Sequence, residues 1–398
     1  MTANRELHDL RRLILAAEGD AGPVLHELGV ARAAGLVIGE LVDRADLDEV
    51  PGSERAPITV RFDLAFEGNV VAHHVVAGKT AGHHPGAPEA AHATVTVDLL
   101  ELVRAVYGGW RSAGCQNLRI VWNDLEDVEA LSSSMHVFDV VRRLVRGTTE
   151  QPADLADLSL RNGSDKWGLH YYTPHYERHF APLRDRPLTI VELGIGGYGD
   201  PAAGGASLRM WKRYFPRALV HGVDVFDKSA LREPRIHTIQ GDLSDPEFLT
   251  SLGERIGPID IVIDDGSHYC PDVITTFRTL FPLVRPGGLY VVEDLQTSYW
   301  AGYGGSSRRR DDPATSMGYL KRLVDGLAYE DQEEGGVAPD EVTRTLTGAH
   351  FYRSMAVFDK GVNAEGPSPS WIPRTLMSHE EMTRVDWGGD GLRATDEG

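Results

Sequence analysis

Two short segments of the chain carry paired carboxylates behind apolar runs. One is Ile261-Val-Ile-Asp-Asp-Gly-Ser-His268 and the other is Tyr290-Val-Val-Glu-Asp294. The β-branched and aromatic residues before each pair read as buried strands, which puts both pairs at strand carboxyl ends. Neighbouring strand ends lie ~4.8 Å apart. On that spacing Asp264, Asp265, Glu293 and Asp294 crowd into one crevice. Carboxylates so close repel one another and take up protons unless a positive charge sits among them. A hard divalent cation answers that need, and oxygen-only ligation suits Mg²⁺ better than Zn²⁺. Asp265 and Asp294 are the expected ligands, with Glu293 the third. Helix capping is the competing reading of any one of these acids, but it accounts poorly for two adjacent pairs. His268 follows Asp265 by three residues, close enough for a turn to bring its ring back to the cation. A hydroxyl held by the metal becomes more acidic, and His268 is the expected base for its proton. Glu293, or release of the proton to water, is the alternative.

A second segment, Val191-Glu-Leu-Gly-Ile-Gly-Gly-Tyr-Gly199, ends an earlier apolar strand. Gly194, Gly196 and Gly197 allow a sharp turn and a close approach of backbone to ligand. The next strand ends at Asp224, where a ribose diol is commonly held. The third ends at Gln240-Gly-Asp242, placing a carboxylate where an adenine amino group is read. A nicotinamide dinucleotide would prefer a helix opening directly on the Gly run, so that its pyrophosphate meets the helix N-terminus. Here Tyr198 to Gly205 intervenes before a helix begins, which favours a cofactor without phosphates. The Glu192-Leu-Gly-x-Gly strand end, the acidic second strand and the later Gly-Asp resemble class I S-adenosylmethionine-dependent methyltransferases. Asp264 is assigned to the cofactor side, near its amino group.

Before this strand lies Gly163-Ser-Asp-Lys-Trp-Gly-Leu-His-Tyr-Tyr-Thr-Pro-His-Tyr-Glu-Arg-His-Phe180. His170, His175 and His179 invite a metal reading, but Pro174 interrupts any helix linking the first two. The segment reads better as a cofactor lid, with Lys166 on a carboxylate and Tyr171, Tyr172 and Thr173 over the methionine. His73, His74, His83, His84, His221 and His237 are read as satisfied surface or core residues.

The elements around these segments fall into two grammars. Helical spacing fills the first fifty residues, and from Ile58 to Val97 alternating strands follow, with a helix from Leu99 to Tyr107. That order predicts a small α+β unit over residues 1–150, with a polar boundary near Thr149. Residues 151–398 alternate strand and helix, the pattern of a doubly wound α/β sheet. Phe351 to Lys360 is expected at the sheet edge, and the tail from Trp387 is expected to be mobile. The 23-residue stretch from Gln296 to Gly318 is irregular for its length, and Tyr299, Trp300 and Tyr303 within it suit an apolar acceptor face.

Composition bounds the function classes. With 398 residues, 41% hydrophobic and 25% charged, the chain can bury two cores. A net charge of −19, with Arg308-Arg309-Arg310 the only compact basic run, disfavours nucleic acid as a partner. No apolar stretch reaches the ~18–20 residues that span a bilayer, and two cysteines are too few for a disulfide framework. A cytoplasmic enzyme is expected.

Ser164-Asp-Lys-Trp-Gly168, Glu-Leu-Gly-Ile-Gly-Gly197, Ile-Asp-Asp-Gly-Ser-His268 and Val-Val-Glu-Asp-Leu295 together resemble the metal-dependent sugar O-methyltransferases of macrolide biosynthesis. The resemblance spans about residues 160–360. It implies S-adenosylmethionine, Mg²⁺, a vicinal diol of a macrolide glycoside as acceptor (the 2''-hydroxyl of a 6-deoxyallose), and a homo-oligomer, a tetramer. It further implies that the N-terminal unit serves assembly and substrate enclosure. A metal-independent small-molecule methyltransferase and a non-catalytic adenosyl-ligand sensor are the alternatives.

Overall fold

The computed structural model describes residues 2–47, 57–108, 117–123, 130–148, 154–333 and 338–384. Cys115, the boundary near Thr149 and the tail from Trp387 lie outside them. Among the described residues no helix is long and apolar enough to cross a membrane.

The chain opens on three helices, α1 (Thr2–Ala16), α2 (Gly22–Leu28) and α3 (Val30–Ala45). Five strands then form one sheet: β1 (Ile58–Phe66), β2 (Asn69–Ala77), β3 (Gly82–Pro85), β4 (Ala93–Asp98) and β5 (Arg119–Trp122), in the order β3-β2-β1-β4-β5. Strand β1 alternates strictly between buried and half-buried residues, so one face packs on helices and the other does not. The packing helices are α3, α4 (Leu99–Tyr107) and α5 (Ala130–Arg146). Asp98 caps α4 by accepting from the Glu101 N–H at 3.0 Å. β1 and β4 run parallel inside this otherwise antiparallel sheet.

Two short helices, α6 (Leu155–Asn162) and α7 (Thr173–Phe180), lead into the second sheet. Its strands are β6 (Thr189–Leu193), β7 (Leu219–Asp224), β8 (Ile236–Gln240), β9 (Ile259–Asp264), β10 (Val284–Val292), β11 (Leu346–Tyr352) and β12 (Met355–Lys360). The order is β11-β12-β10-β9-β6-β7-β8. Strands β6 to β10 are parallel, and the last two form an antiparallel hairpin along β10. Every residue of β6, β7 and β9 is buried, as a sheet covered on both faces requires. The covering helices are α8 (Ala206–Tyr214), α9 (Pro246–Ile256), α10 (Cys270–Leu280), α11 (Ser316–Asp325) and α12 (Glu341–Thr345), and α13 (His379–Arg384) follows the sheet.

The doubly wound expectation holds, with one difference. The late segment is a hairpin whose inner strand, β12, is almost fully buried rather than an edge, because Met355 to Phe358 complete the core beside β10. The irregular stretch after β10 opens with short 3₁₀ turns at Leu295–Tyr299 and Ala301–Tyr303 and ends where α11 begins at Ser316.

Strand order reverses between β6 and β9, and the carboxyl ends there open the crevice where α/β sheets bind ligands. The first unit is fastened to the opposite side of this sheet. Arg235 and Glu40 pair through two contacts of 2.7 and 3.0 Å, both fully buried. Lys212 reaches Asp43 at 2.6 Å, and Arg217 donates to the Tyr107 carbonyl at 2.7 Å.

Candidate active site

β9 and β10 are adjacent, with Asp264 opposite Val292, so the acidic pairs meet as their spacing predicts. What lies among them first is a cation of the chain itself. Lys166 is 0% exposed, and its ammonium donates to Asp265 Oδ2 and to Glu293 Oε2, each at 2.8 Å. Glu192 Oε1 lies 3.6 Å away. Lys166 therefore serves the carboxylates rather than the methionine end of a cofactor, because a buried ammonium is stable only beside compensating charge. Burial alone would lower its pKa. Asp265, Glu293 and Glu192 outweigh that and hold it well above the usual lysine range. The acids remain in excess. Burial, then repulsion from Asp265, pushes Glu293 well above the carboxylate range. Burial likewise lifts Glu192 to about 7, against the pull of Lys166.

Asp265, His268 and Asp294 converge, their nearest ligating atoms all within 4.8 Å of one another. His268 Nε2 lies 3.5 Å from Asp294 Oδ2 and 4.0 Å from Asp265 Oδ1. Both His268 (φ 55°) and Asp294 (φ 52°) sit in the left-handed region, where a side chain costs roughly 1–3 kcal/mol and persists when the surroundings impose it. That strain aims the ring and the carboxylate into the crevice. Glu293, the third expected ligand, stands beside this trio. Its oxygens accept from Lys166 and from the Tyr176 hydroxyl. Asp294 is steadied in turn, accepting from the Tyr172 hydroxyl at 2.7 Å. Burial would raise its pKa, but that hydrogen bond and His268 bring it below the usual range. His170, stacked on Tyr172, stands 3.7 Å from the same carboxylate.

The lid segment is thus mostly drawn to the acids. Tyr172 binds Asp294, Tyr171 is exposed against Trp167, and the Thr173 hydroxyl is buried without a partner. Tyr176 was not singled out from sequence, although it stands one helical turn beyond Tyr172 on the same face, a legible signal. His179 groups with His350 and Asp359, but these are occupied by a His350–Asp359 contact of 2.8 Å and a His179–Tyr352 contact of 2.8 Å.

The glycine turn forms as expected. Gly194 (φ 87°) lies so near the Asp265 backbone that any Cβ would collide with that carbonyl, and Gly197 (φ 74°) is similarly closed against Ala203. Gly196 (φ 73°) faces open space. Asp224 stands at the tip of β7 and accepts from the Ile195 and Phe226 amides at 3.0 and 2.9 Å, fixing it beside the turn. Glu192 accepts from Ser207 at 2.9 Å. Asp242 is exposed and caps its own turn through Ser244 at 2.8 Å. Asp264 does not face the cofactor turn with a free carboxylate. Its Oδ2 accepts from Thr276 and, at 3.1 Å, from Tyr290, because its side chain points under α10. Burial raises it to about 6, against those two hydrogen bonds. Trp300, half exposed, lies 5.8 Å from Tyr303, centroid to centroid, in the turns after β10.

Residues 10–117 match the family model described as MycE methyltransferase N-terminal. Over 363 residues the chain is 44% identical to the 8-demethyl-8-alpha-L-rhamnosyl tetracenomycin-C 2'-O-methyltransferase of Streptomyces olivaceus, covering 89% of this chain and 95% of that one. It is 36% identical to the mycinamicin VI 2''-O-methyltransferase of Micromonospora griseorubida, over 98% of this chain and 100% of the relative. Among solved structures, MycE methyltransferase in complex with Mg and SAH superposes with a TM-score of 0.83 at 34% identity, covering 96% of this chain and 98% of that chain. Its complex with Mg, SAH and mycinamycin VI gives 0.81 at 34% identity, covering 94% and 98%.

Proposed function

This chain belongs to the family of antibiotic-sugar O-methyltransferases that its relatives define, and on that premise we propose that it methylates a sugar hydroxyl of a polyketide glycoside using S-adenosylmethionine and Mg²⁺. The observation that carries the reading is the convergence of Asp265, His268 and Asp294 beside the Gly194–Gly197 turn. The donor set fits a hard cation: Asp265 and Asp294 offer carboxylate oxygens, and Glu293 stands next to them as the third. S-adenosylmethionine supplies an electrophilic methyl group, and Mg²⁺ supplies charge that orients adjacent hydroxyls and acidifies one.

The chain's own groups do the rest. His268 takes the proton of the acceptor hydroxyl as its oxygen bonds to the methyl carbon and the sulfur–carbon bond breaks, leaving S-adenosylhomocysteine. Asp294, 3.5 Å from His268 Nε2, stabilises the charged imidazole. Glu293 is the weaker candidate for base because Lys166 and Tyr176 already occupy its oxygens. Gly194 and Gly197 let the turn close on the chain's own backbone, Gly196 leaves open space for the cofactor, and Asp224 beside the turn is the proposed partner of its ribose. Glu192, Lys166, Tyr172, Thr173, Asp242 and Asp264 complete the proposed cofactor neighbourhood, Thr173 with an unpartnered hydroxyl and Asp242 with an exposed carboxylate.

For the acceptor we propose the 2-hydroxyl of a deoxysugar, in line with the 2'' specificity named for the full-length macrolide relative. A rhamnose on an aromatic polyketide is the second reading, favoured by the 44% identity to the tetracenomycin enzyme. The unit over residues 1–150 is proposed to support assembly into a homo-oligomer and enclosure of the acceptor. Mass and NMR analysis of products from macrolide and rhamnosyl glycosides, with and without EDTA, tests the reading. EDTA should abolish transfer and Mg²⁺ should restore it. Asp265→Ala should be inactive yet still bind S-adenosylhomocysteine. Full turnover in EDTA would remove the metal from the proposal.

A further inference from the structure

A cavity of about 210 Å³ lies between α1, α9 and the face of β7 and β8, at the amino-terminal half of strands whose other ends carry Asp224 and Gln240. Its polar lining is His8, Arg11, His221, His237 and Arg255, and the rest is aliphatic. No carboxylate lines it, in a chain of net charge −19. Among the described residues, neither Arg11 nor Arg255 forms an ion pair.

His221 is only 6% exposed, and its buried Nδ1 has no hydrogen-bond partner; the buried Nδ1 of His237 has none either. The two rings lie 5.8 Å apart across paired strands. The expectation that both are satisfied core histidines therefore fails. Burial, then His237 and Arg11, lowers His221 to about 3. His237 is lowered by burial, then by Arg232 and Arg255. All the charged groups that perturb either ring are positive, and such a concave, partly desolvated cluster is stabilised by an incoming anion.

We propose that this cavity binds a phosphate group, free or carried by a small organic molecule whose apolar part rests on the aliphatic walls. Arg11 and Arg255 supply the charge, and the rings of His221 and His237, whose buried Nδ1 atoms have no partner in the protein, form the wall beside them. The site joins α1 of the first unit to β7, β8 and α9 of the second, so occupancy would tighten their association. It shares no residue with the acidic crevice and does not depend on the methyl-transfer reading.

The test is calorimetric titration of the full chain, stripped of metal with EDTA and held in low-chloride buffer, with inorganic phosphate and then phenyl phosphate. Saturable one-to-one binding is expected from at least one probe, with Arg11→Ala/Arg255→Ala weakening it about tenfold or more. Tighter binding of phenyl phosphate identifies an organic phosphate as the occupant, and equal or tighter binding of inorganic phosphate identifies the free ion. His221→Gln should weaken binding without lowering methyl transfer. No saturable binding up to about 10 mM, where even a weak site fills, overturns the proposal. So does unchanged affinity in the double arginine variant. If that variant is unfolded, Arg255→Ala alone, on the surface of α9, decides the same question.

Discussion

Lys166 and Arg235 are both fully buried cations, yet their surroundings differ in kind. Arg235 meets one carboxylate, Glu40, in a two-pronged pair, and its remaining donors reach the carbonyls of Lys212, Phe215 and Ala218. Charge is balanced and every donor is used. Glu40 responds with a pKa far below the carboxylate range: burial raises it, but Arg235 and Arg44 prevail. Lys166 faces Asp265, Glu293 and Glu192 together, so negative charge is left over. The joint between the two units is closed electrostatically, whereas the crevice retains a deficit that a second cation would fill. Satisfied burial marks structure, and an unfilled deficit marks function.

The contrast can be broken most sharply at His268. His268→Ala should lower kcat by roughly 10²–10⁴ with little change in melting temperature, as expected when a proton acceptor is lost. A comparable fall in stability would mean that the ring is structural. Arg235→Ala should do the reverse. It strands Glu40 and should cost about 3–5 kcal/mol in denaturant unfolding, while activity per folded molecule is retained.

Lys166→Met comes next, at about 1–3 kcal/mol in EDTA, because the stranded Glu293 and Glu192 accept protons and so relieve part of the loss. If the crevice is a cation site, Mg²⁺ should recover more stability in this variant than in the parent, read by thermal shift. Equal recovery in both would show that Lys166 and the metal do not share the same acids.

The smallest effect concerns acid sensitivity outside both regions. His221 titrates near 6.5 unfolded and about 3 folded, so the folded state holds fewer protons in between. Its contribution to stability is complete above pH 6.5 and falls away as pH drops towards 3. His221→Leu should flatten that decline in phosphate-free buffer, measured as denaturation midpoints at pH 7 and 5. A parallel decline in both proteins would count against the burial of a neutral ring.

The crevice was legible in sequence because strand periodicity and acid position are local signals. Asp265 and Asp294 could be placed from their apolar runs alone, as could the turn at Gly194 and Gly197. What periodicity lacks is long-range partnership. Lys166 lies 99 residues from Asp265, and nothing near it in the chain announces that carboxylate. The partners of Asp264 were hidden for the same reason, since Thr276 and Tyr290 belong to the next helix and strand. The inner position of β12 depends on a reversal of strand direction that residue types do not encode. Nor does any propensity give His268 a positive φ, which tertiary packing imposes.

The joint between the units also has a consequence in time. Glu40 and Arg235 are 195 residues apart, so a ribosome adding about 5–20 residues per second adds the arginine roughly 10–40 s after it has added the glutamate. Throughout that interval Glu40 has only Arg44 of its own helix for a partner, and the rest of the face that carries Glu40 and Asp43 stays hydrated until Lys212 and Arg235 exist. The nascent first unit therefore waits with a charged, water-bearing surface rather than a greasy one, which protects it from premature association until the second sheet arrives to dry it.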